Sequence, residues 1–453
     1  MSTDPRAPRP EPAAGPRPGR EVALALGLPG AGLVALLALM ARRPDWLAAL
    51  GAIQVLYAAA FLCYATALWR LRRVGTLPGA AATVFAVALV ARAVLLPAPP
   101  TLSDDLYRYA WEGRVILAGG NPYRQSPLDP ALARLRDPRI FPAVNHPELA
   151  TLYPPLAEAG FALVAAASPT VAAFKTWVVL HDLALVGLLG LWLARRGRAP
   201  AWVLVYAWNP LALVEYAGNG HNDPTAMAWL ALALVLAERR PVAAGLALGV
   251  GALVKLAPLA AFPLVLRRAP WRARLAALGV AGAGLAWFYT QTRGPDSGLG
   301  AFWRSWRNNE LLFHFFEAWT GSFTRARALA IALVVATLGI AWTRGGGPER
   351  GTRAVFKAAV LAGPVAHPWY HGWWLMLEPL APSAPWILLT LTAVLSYGVL
   401  GSPPGGHAFH LSLAGRALEY GVPALLALGL AVARRARRAG PARLASAARR
   451  GGA

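Results

Sequence analysis

Residues 22–41 read "VALALGLPGAGLVALLALMA" and are followed at once by Arg42 and Arg43. An uncharged run of this length, coiled at about 1.5 Å per residue, spans the ~30 Å hydrocarbon core of a bilayer. The pattern recurs at 46–69, 77–97, 171–194, 199–217, 241–266, 272–290, 325–343 and 384–400, with shorter apolar runs at 155–168, 224–237, 353–366, 369–382 and 417–433. Hydropathy therefore predicts an all-α polytopic membrane protein of about 11–14 transmembrane helices.

Composition agrees. Hydrophobic residues make up 57% of the chain and charged residues only 14%, against about 25% charged in soluble domains. The net charge of +23 would suggest nucleic acid in a soluble protein. Here the arginines close apolar runs, at Arg42 and Arg43, Arg70, Arg72 and Arg73, Arg267 and Arg268, and Arg434, Arg435, Arg437 and Arg438. Such clusters set topology and meet anionic headgroups, so the partner they imply is the lipid bilayer and no nucleic acid. The single cysteine, Cys63, allows no intramolecular disulfide.

The Pro- and Arg-rich residues 1–20 are expected to form a disordered cytoplasmic tail, and 438–453 a basic cytoplasmic tail, around one membrane domain at 21–437. No small-residue cleavage site follows the first run, which reads as an uncleaved anchor. Three spans then put 98–154, the longest extramembrane connection, outside a plasma (inner) membrane, with 291–323 as a second external loop and "HPWYHGWW" (367–374) as an external turn. The run 241–266 reads as two half-helices broken at Lys255 and Pro258.

The first loop opens with "SDDLYRYAWEGRVILAGGNPY" (103–123). Ser103 suits a helix N-cap, Asp104 and Asp105 the first turn, and Gly119 and Gly120 the stop. Asp105, Arg108, Tyr109 and Glu112 share a face at i, i+3, i+4 and i+7. A capped interfacial helix with an Asp–Arg–Glu ladder explains this spacing equally well, yet two carboxylates exceed what a cap needs. "GNGHNDP" (218–224) offers Asn219, His221, Asn222 and Asp223 within five residues, suited to sugar hydroxyls, a metal or a phosphate, although no second His or Cys stands at zinc spacing. Lys255 is an ionisable group in apolar sequence, a costly placement usually kept for function. His181 and Asp182 read as a helix–helix hydrogen-bonding pair. "AFWRSWRNNELLFHFFEAWTG" (301–321) reads as an interfacial amphipathic helix carrying Arg304 and Arg307.

In this order, "SDDLYRYAWEGRV…AGGNPY", "NHPEL…YPPLAE", "WNPLALVEYAGNGHND", "KLAPL…PLVL" and "HPWYHGWW" resemble the bacterial polyprenyl-phosphomannose-dependent α-mannosyltransferases over residues 75–400. These are GT-C-fold enzymes related to the glycosyltransferase-87 group. The resemblance implies inverting transfer from a polyprenyl-phosphate sugar donor, with mannose as the sugar, to a glycolipid or glycan acceptor at the extracytoplasmic face. An acidic residue of the first external loop is then expected as the catalytic base or the acceptor-orienting group, and Asp104 and Asp105 occupy that place. Cations for the leaving phosphate would come from Lys255, Arg304, Arg307 and Arg108. Contacts to sugar or acceptor would come from Tyr109, His146, Asn219, His221, Asn222, Asp223, His371, Trp373 and Trp374. No metal requirement carries over, and a divalent cation stays open. The rival readings are a flippase using His181, Asp182, Glu215 and Lys255 at the midplane, or a GT-C enzyme for arabinose, rhamnose or glucose. A flippase of that kind predicts internal repeats, and none is legible. A reporter fused after residue 130 should register outside the cytoplasm; a cytoplasmic signal there overturns the topology.

Overall fold

The computed structural model describes residues 18–294, 297–401, 408–409 and 411–450. The expected tail thus lies outside the described residues up to position 17, and the basic C-terminal tail continues the helix Leu413–Arg450. Strand occurs among the described residues only at Arg307–Asn308 and Ala408–Phe409, paired in parallel. Five helices are long and apolar enough to cross a membrane: Gly19–Ala41, Leu50–Val74, Val171–Arg195, Phe323–Arg344 and Leu413–Arg435. Six shorter apolar helices join them, including Ala80–Leu95, Pro155–Ala167 and Pro241–Val254.

One expected span is not a continuous helix. Residues 199–217 break into Pro200–Val203, Leu204–Ala207, Pro210–Ala212 and the wide-turned Leu213–Gly218. Pro210 has no N–H to extend the ladder, and Asn209 Oδ1 accepts instead from the Leu211 backbone at 3.0 Å. Every residue from 203 to 228 is buried. The segment runs through the centre of the bundle, where protein satisfies irregular backbone that lipid could not. Trp208 Nε1, for example, donates to the Val84 carbonyl at 2.9 Å.

The break expected within 241–266 falls at Lys255, whose extended backbone ends the helix Pro241–Val254. The helix expected over 301–321 is split into Gly298–Ser305 and Leu312–Thr320. Between them Asn308 bonds residues 364–366, donating to Pro364 O at 3.0 Å and accepting from Ala366 N at 2.8 Å. Those cross-chain bonds replace the helical ones.

The first long loop is ordered around a core of its own. Leu106, Tyr109, Trp111 and Val115 of the helix Asp105–Leu117 pack with Leu132, Ile140 and Val144 and with Phe161 and Phe174. Gly113 makes this approach possible, since a Cβ there would stand 2.4 Å from the Phe161 carbonyl oxygen.

Between the spans, Arg92 Nε donates to Asp182 at 2.7 Å and Tyr206 Oη donates to the same carboxylate at 2.6 Å, all fully buried. Asp182 thus joins helices as expected, whereas His181 Nδ1 lies 2.8 Å from Trp177 O on its own helix. Asp182→Ala would strand the Arg92 charge in the core. It should destabilise the protein by about 3–5 kcal/mol in detergent melts, with Arg92→Met/Asp182→Leu recovering most of the loss.

Candidate active site

Asp104 is the N-cap of the helix Asp105–Leu117, and its carboxylate makes no capping bond. Ser103 Oγ takes that part, accepting from Asp105 N at 3.3 Å. Both carboxylates are therefore available to face other segments. The Asn145 side chain bridges them, with Nδ2 donating to Asp104 at 2.7 Å and to Asp105 at 3.1 Å. The second oxygen of Asp105 lies 3.2 Å from His221 Nδ1, and His221 Nε2 lies 3.3 Å from Glu215. Gly220 brings His221 there. Its φ of 77° suits glycine, and a Cβ would meet the Leu106 side chain at 2.5 Å.

Arg108 sets the position of Asn145. It pairs with Glu112 at 2.5 Å and donates to the carbonyls of Asn145, His146 and Leu149 at 3.0, 2.9 and 2.5 Å. These bonds hold His146 at φ 40°, a left-handed conformation that non-glycine residues rarely adopt. Arg108, expected as a phosphate ligand, is here a clamp on residues 145–149 that also lines the cavity. Lys255 stands on another wall, 2.7 Å from Asp223, whose other oxygen accepts from Trp373 Nε1 at 2.6 Å. Its ammonium sits 5.2 Å from the Tyr370 ring centroid and 5.9 Å from that of Trp373.

These groups line one cavity of about 990 Å³. Asp104, Asp105, Asn145 and His146 face it from the first loop, and Lys255, His367, Trp369, Tyr370 and Trp373 from the others, with Trp303, Trp306 and Asn308 beside them. Arg327, Ala330, Ile331, Val334 and Val335 add one face of the helix Phe323–Arg344, spaced i, i+3, i+4, i+7 and i+8. Arg327 is held over the Trp303 ring at 4.5 Å and donates to Trp303 O at 2.6 Å.

Electrostatics separate the two aspartates. Burial raises the Asp105 pKa, but the His221 hydrogen bond and charge outweigh it and bring it down to about 2. Burial likewise disfavours charge on His221, and its bonds to Asp105 and Glu215 reverse this, raising it to about 9. Asp104 keeps solvent-accessible area because it faces the cavity, yet protein crowds it elsewhere. That crowding and the neighbouring Asp105 charge raise its pKa above the usual carboxylate value. His367 is lowered to about 3 by burial and is neutral. The Trp369 ring lies between the two imidazoles, stacked on His221 at 3.6 Å and on His367 at 4.1 Å.

Of the residues expected from sequence, Asp104, Asp105, Arg108, His146, Lys255 and Trp373 reach the cavity. The rest stand behind its wall or away from it. Tyr109 is buried, stacked on Phe161 at 4.4 Å. Asn219, His221, Asn222 and Asp223 are all buried, with Asn222 accepting from Thr225 at 2.7 Å. His371 and Trp374 bond each other inside the bundle at 3.2 Å. Arg307 is ion-paired with Glu310 and Glu317, and Arg304 is not among the lining residues. Sequence reasoning missed Asn145 and Arg327, and marked His367 and Trp369 only as part of the aromatic turn 367–374. Arg327 stands with Arg325 at the start of the apolar run 325–343, where an arginine reads as a flanking charge, so it carried no signal like that of Lys255. Among the described residues no group of three or more His, Cys, Asp or Glu side chains is arranged to hold a metal ion.

The family model described as "Glycosyltransferase family 87" matches residues 151–403, more than half of the chain. The chain belongs to glycosyltransferase family 87. A second model, "Alpha-(1->6)-mannopyranosyltransferase, N-terminal domain", matches residues 21–269. Asp104 and Asp105 fall in the second match, His367 and Trp373 in the first, and His221 and Lys255 in both. Searches of curated proteins and of solved structures returned no match. This glycosyltransferase is accordingly a multi-pass membrane enzyme, and the mannosyltransferase resemblance drawn from its motifs holds at the level of the family.

The Asp105–His221 pair gives the enzyme a signature in pH. His221 titrates at about 9 in the fold against an ordinary value of 6.5. Its contribution to stability is complete below the ordinary value and is lost as pH rises through the folded one. Melting temperature should therefore fall by several degrees across that alkaline window in wild type, and the pH slope should flatten in His221→Asn.

Proposed function

We propose that this glycosyltransferase moves mannose from a polyprenyl-phosphate donor to a glycolipid or glycan hydroxyl at the extracytoplasmic face by inverting displacement. The observation that carries the reading is the lining of one cavity. It holds a carboxylate pair, the cations Lys255 and Arg327, flat aromatic faces, and an apolar helix face leading away. An amphiphilic donor has matching parts: a sugar, a phosphate and an isoprenoid tail.

In this reading Asp104 is the general base. It reaches the cavity, and its raised pKa makes it the stronger proton acceptor of the two. Asp105 is a poor base because His221 stabilises its charge. It holds the pair in place through Asn145. As the acceptor hydroxyl oxygen bonds to the anomeric carbon, its proton passes to Asp104. The bond from that carbon to the phosphate oxygen breaks, and the electron pair leaves with polyprenyl phosphate. Lys255 and Arg327 stabilise the charge developing there. Trp369, Tyr370 and Trp373 offer faces to the sugar ring. The mannose assignment is supported by the printed name of the second matching family, and the donor and the sidedness by the motif resemblance.

Transfer of radiolabel from polyprenyl-phosphate mannose to glycolipid by membranes bearing the enzyme tests this. Asp104→Asn should lower kcat by about 10²–10⁴-fold with melting unchanged. Asp105→Asn should lower both turnover and melting temperature, since it removes one of the two carboxylate charges that flank buried His221. Lys255→Arg should raise KM for the donor more than it lowers kcat. Near-wild-type turnover by Asp104→Asn would remove the base assignment, and label moving only from another polyprenyl sugar would replace mannose.

A further inference from the structure

We propose that a second pocket, at the opposite end of the helix Pro348–Ala362 from the catalytic cavity, binds a phosphate-bearing anion, either an anionic phospholipid headgroup or free phosphate. The inference does not rest on the donor, the acceptor or the sidedness proposed above. The pocket has a volume of about 230 Å³ and is lined by Arg196, Arg198, Arg350 and Arg353, with Glu349 and the apolar Leu377, Leu380 and Ala381. At its other end the same helix lines the catalytic cavity through Ala359 and Val360. Six residues from Arg353 to Ala359 separate the two sites by about 9 Å along the axis.

The four guanidinium groups come from two segments distant in sequence and converge on one hollow. Two follow the helix Val171–Arg195, and two lie in the first turns of Pro348–Ala362. Several are oriented by neighbours: Arg196 lies over Trp192 at 6.0 Å and Arg198 over Trp202 at 5.9 Å. Arg353 donates to Ala381 O at 2.7 Å and stands 3.6 Å from Glu378. Glu349, the one carboxylate among the lining residues, is 3.7 Å from Arg196. Counting Glu349, the Glu238 that lies 3.7 Å from Arg196 and the Glu378 beside Arg353, the four arginines still leave the cluster a net positive charge, which an anion in the hollow would offset. Arginines that only set topology have no reason to face a common pocket. The helix N-terminus adds a positive dipole end to the same place. Guanidinium forks match phosphate oxygens in pairs, and the leucine rim suits the glycerol region of a lipid. Basic pockets between membrane helices take anionic headgroups in this way.

The test uses the full-length enzyme in detergent and its Arg198→Gln/Arg350→Gln variant. Native mass spectra would be recorded with added phosphatidylglycerol or phosphatidylcholine, and melting curves with inorganic phosphate. Wild type should hold phosphatidylglycerol in preference to phosphatidylcholine, and the variant should lose the adduct about tenfold or more. Stabilisation of wild type alone by inorganic phosphate, without a lipid preference, would assign the pocket to the free anion. Equal adducts in both proteins together with no phosphate effect would overturn the proposal. Should the double variant not fold, Arg350→Gln alone, at an exposed position, gives the same comparison.

Discussion

The contact between Asp105 and His221 joins positions 116 residues apart, and the remainder of the candidate site is arranged around it. It fixes the start of the helix Asp105–Leu117 against the central buried segment. It requires Gly220, because only a residue without a Cβ lets the turn press on Leu106. It leaves Asp105 ionised and committed to a partner, so that the adjacent Asp104 is the carboxylate with freedom to face the cavity. Two neighbouring acids in one low-dielectric place would otherwise compete for a single proton. A cation beside one of them resolves that competition.

The same device recurs across the cavity. Lys255 is fixed by Asp223, Asp223 is also held by Trp373, and Asn145 is positioned by a backbone loop that Arg108 clamps. Lys255, Trp373 and Asn145 are each oriented by a charged group next to them. Such groups need little reorganisation when charge develops in a reaction, which is where electrostatic catalysis gains most. The arrangement also explains why a chain otherwise so apolar concentrates its polar residues in a few short motifs. In a bilayer an unpartnered charge is costly, so charges come with their partners.

Much of this was legible in the chain itself. Apolar runs of bilayer length dictate helices, because lipid leaves the backbone no partner other than itself. The helix at Asp105–Leu117, the break at Lys255 and the singling out of the Asp pair and Lys255, which meet at one cavity, followed from capping, proline and the cost of buried charge. The departures from expectation share a cause. Tyr109, Asn219, Asn222, His371 and Trp374 were marked by residue type, and the structure buries them behind the cavity wall, a distinction that type does not make. The run 199–217 was marked by hydropathy, which is the same for a helix in lipid and for a broken segment buried in protein.

By itself, then, the sequence determined the helical membrane class, the family motifs and the short list of segments that carry chemistry, since these depend on local composition and spacing. Only the tertiary structure decided which side chains meet. Asn145 between two carboxylates, Trp369 between His221 and His367, Arg327 in the cavity and Arg307 tied up in ion pairs are pairings of distant segments. No local periodicity encodes them, because they are set by how the helices pack.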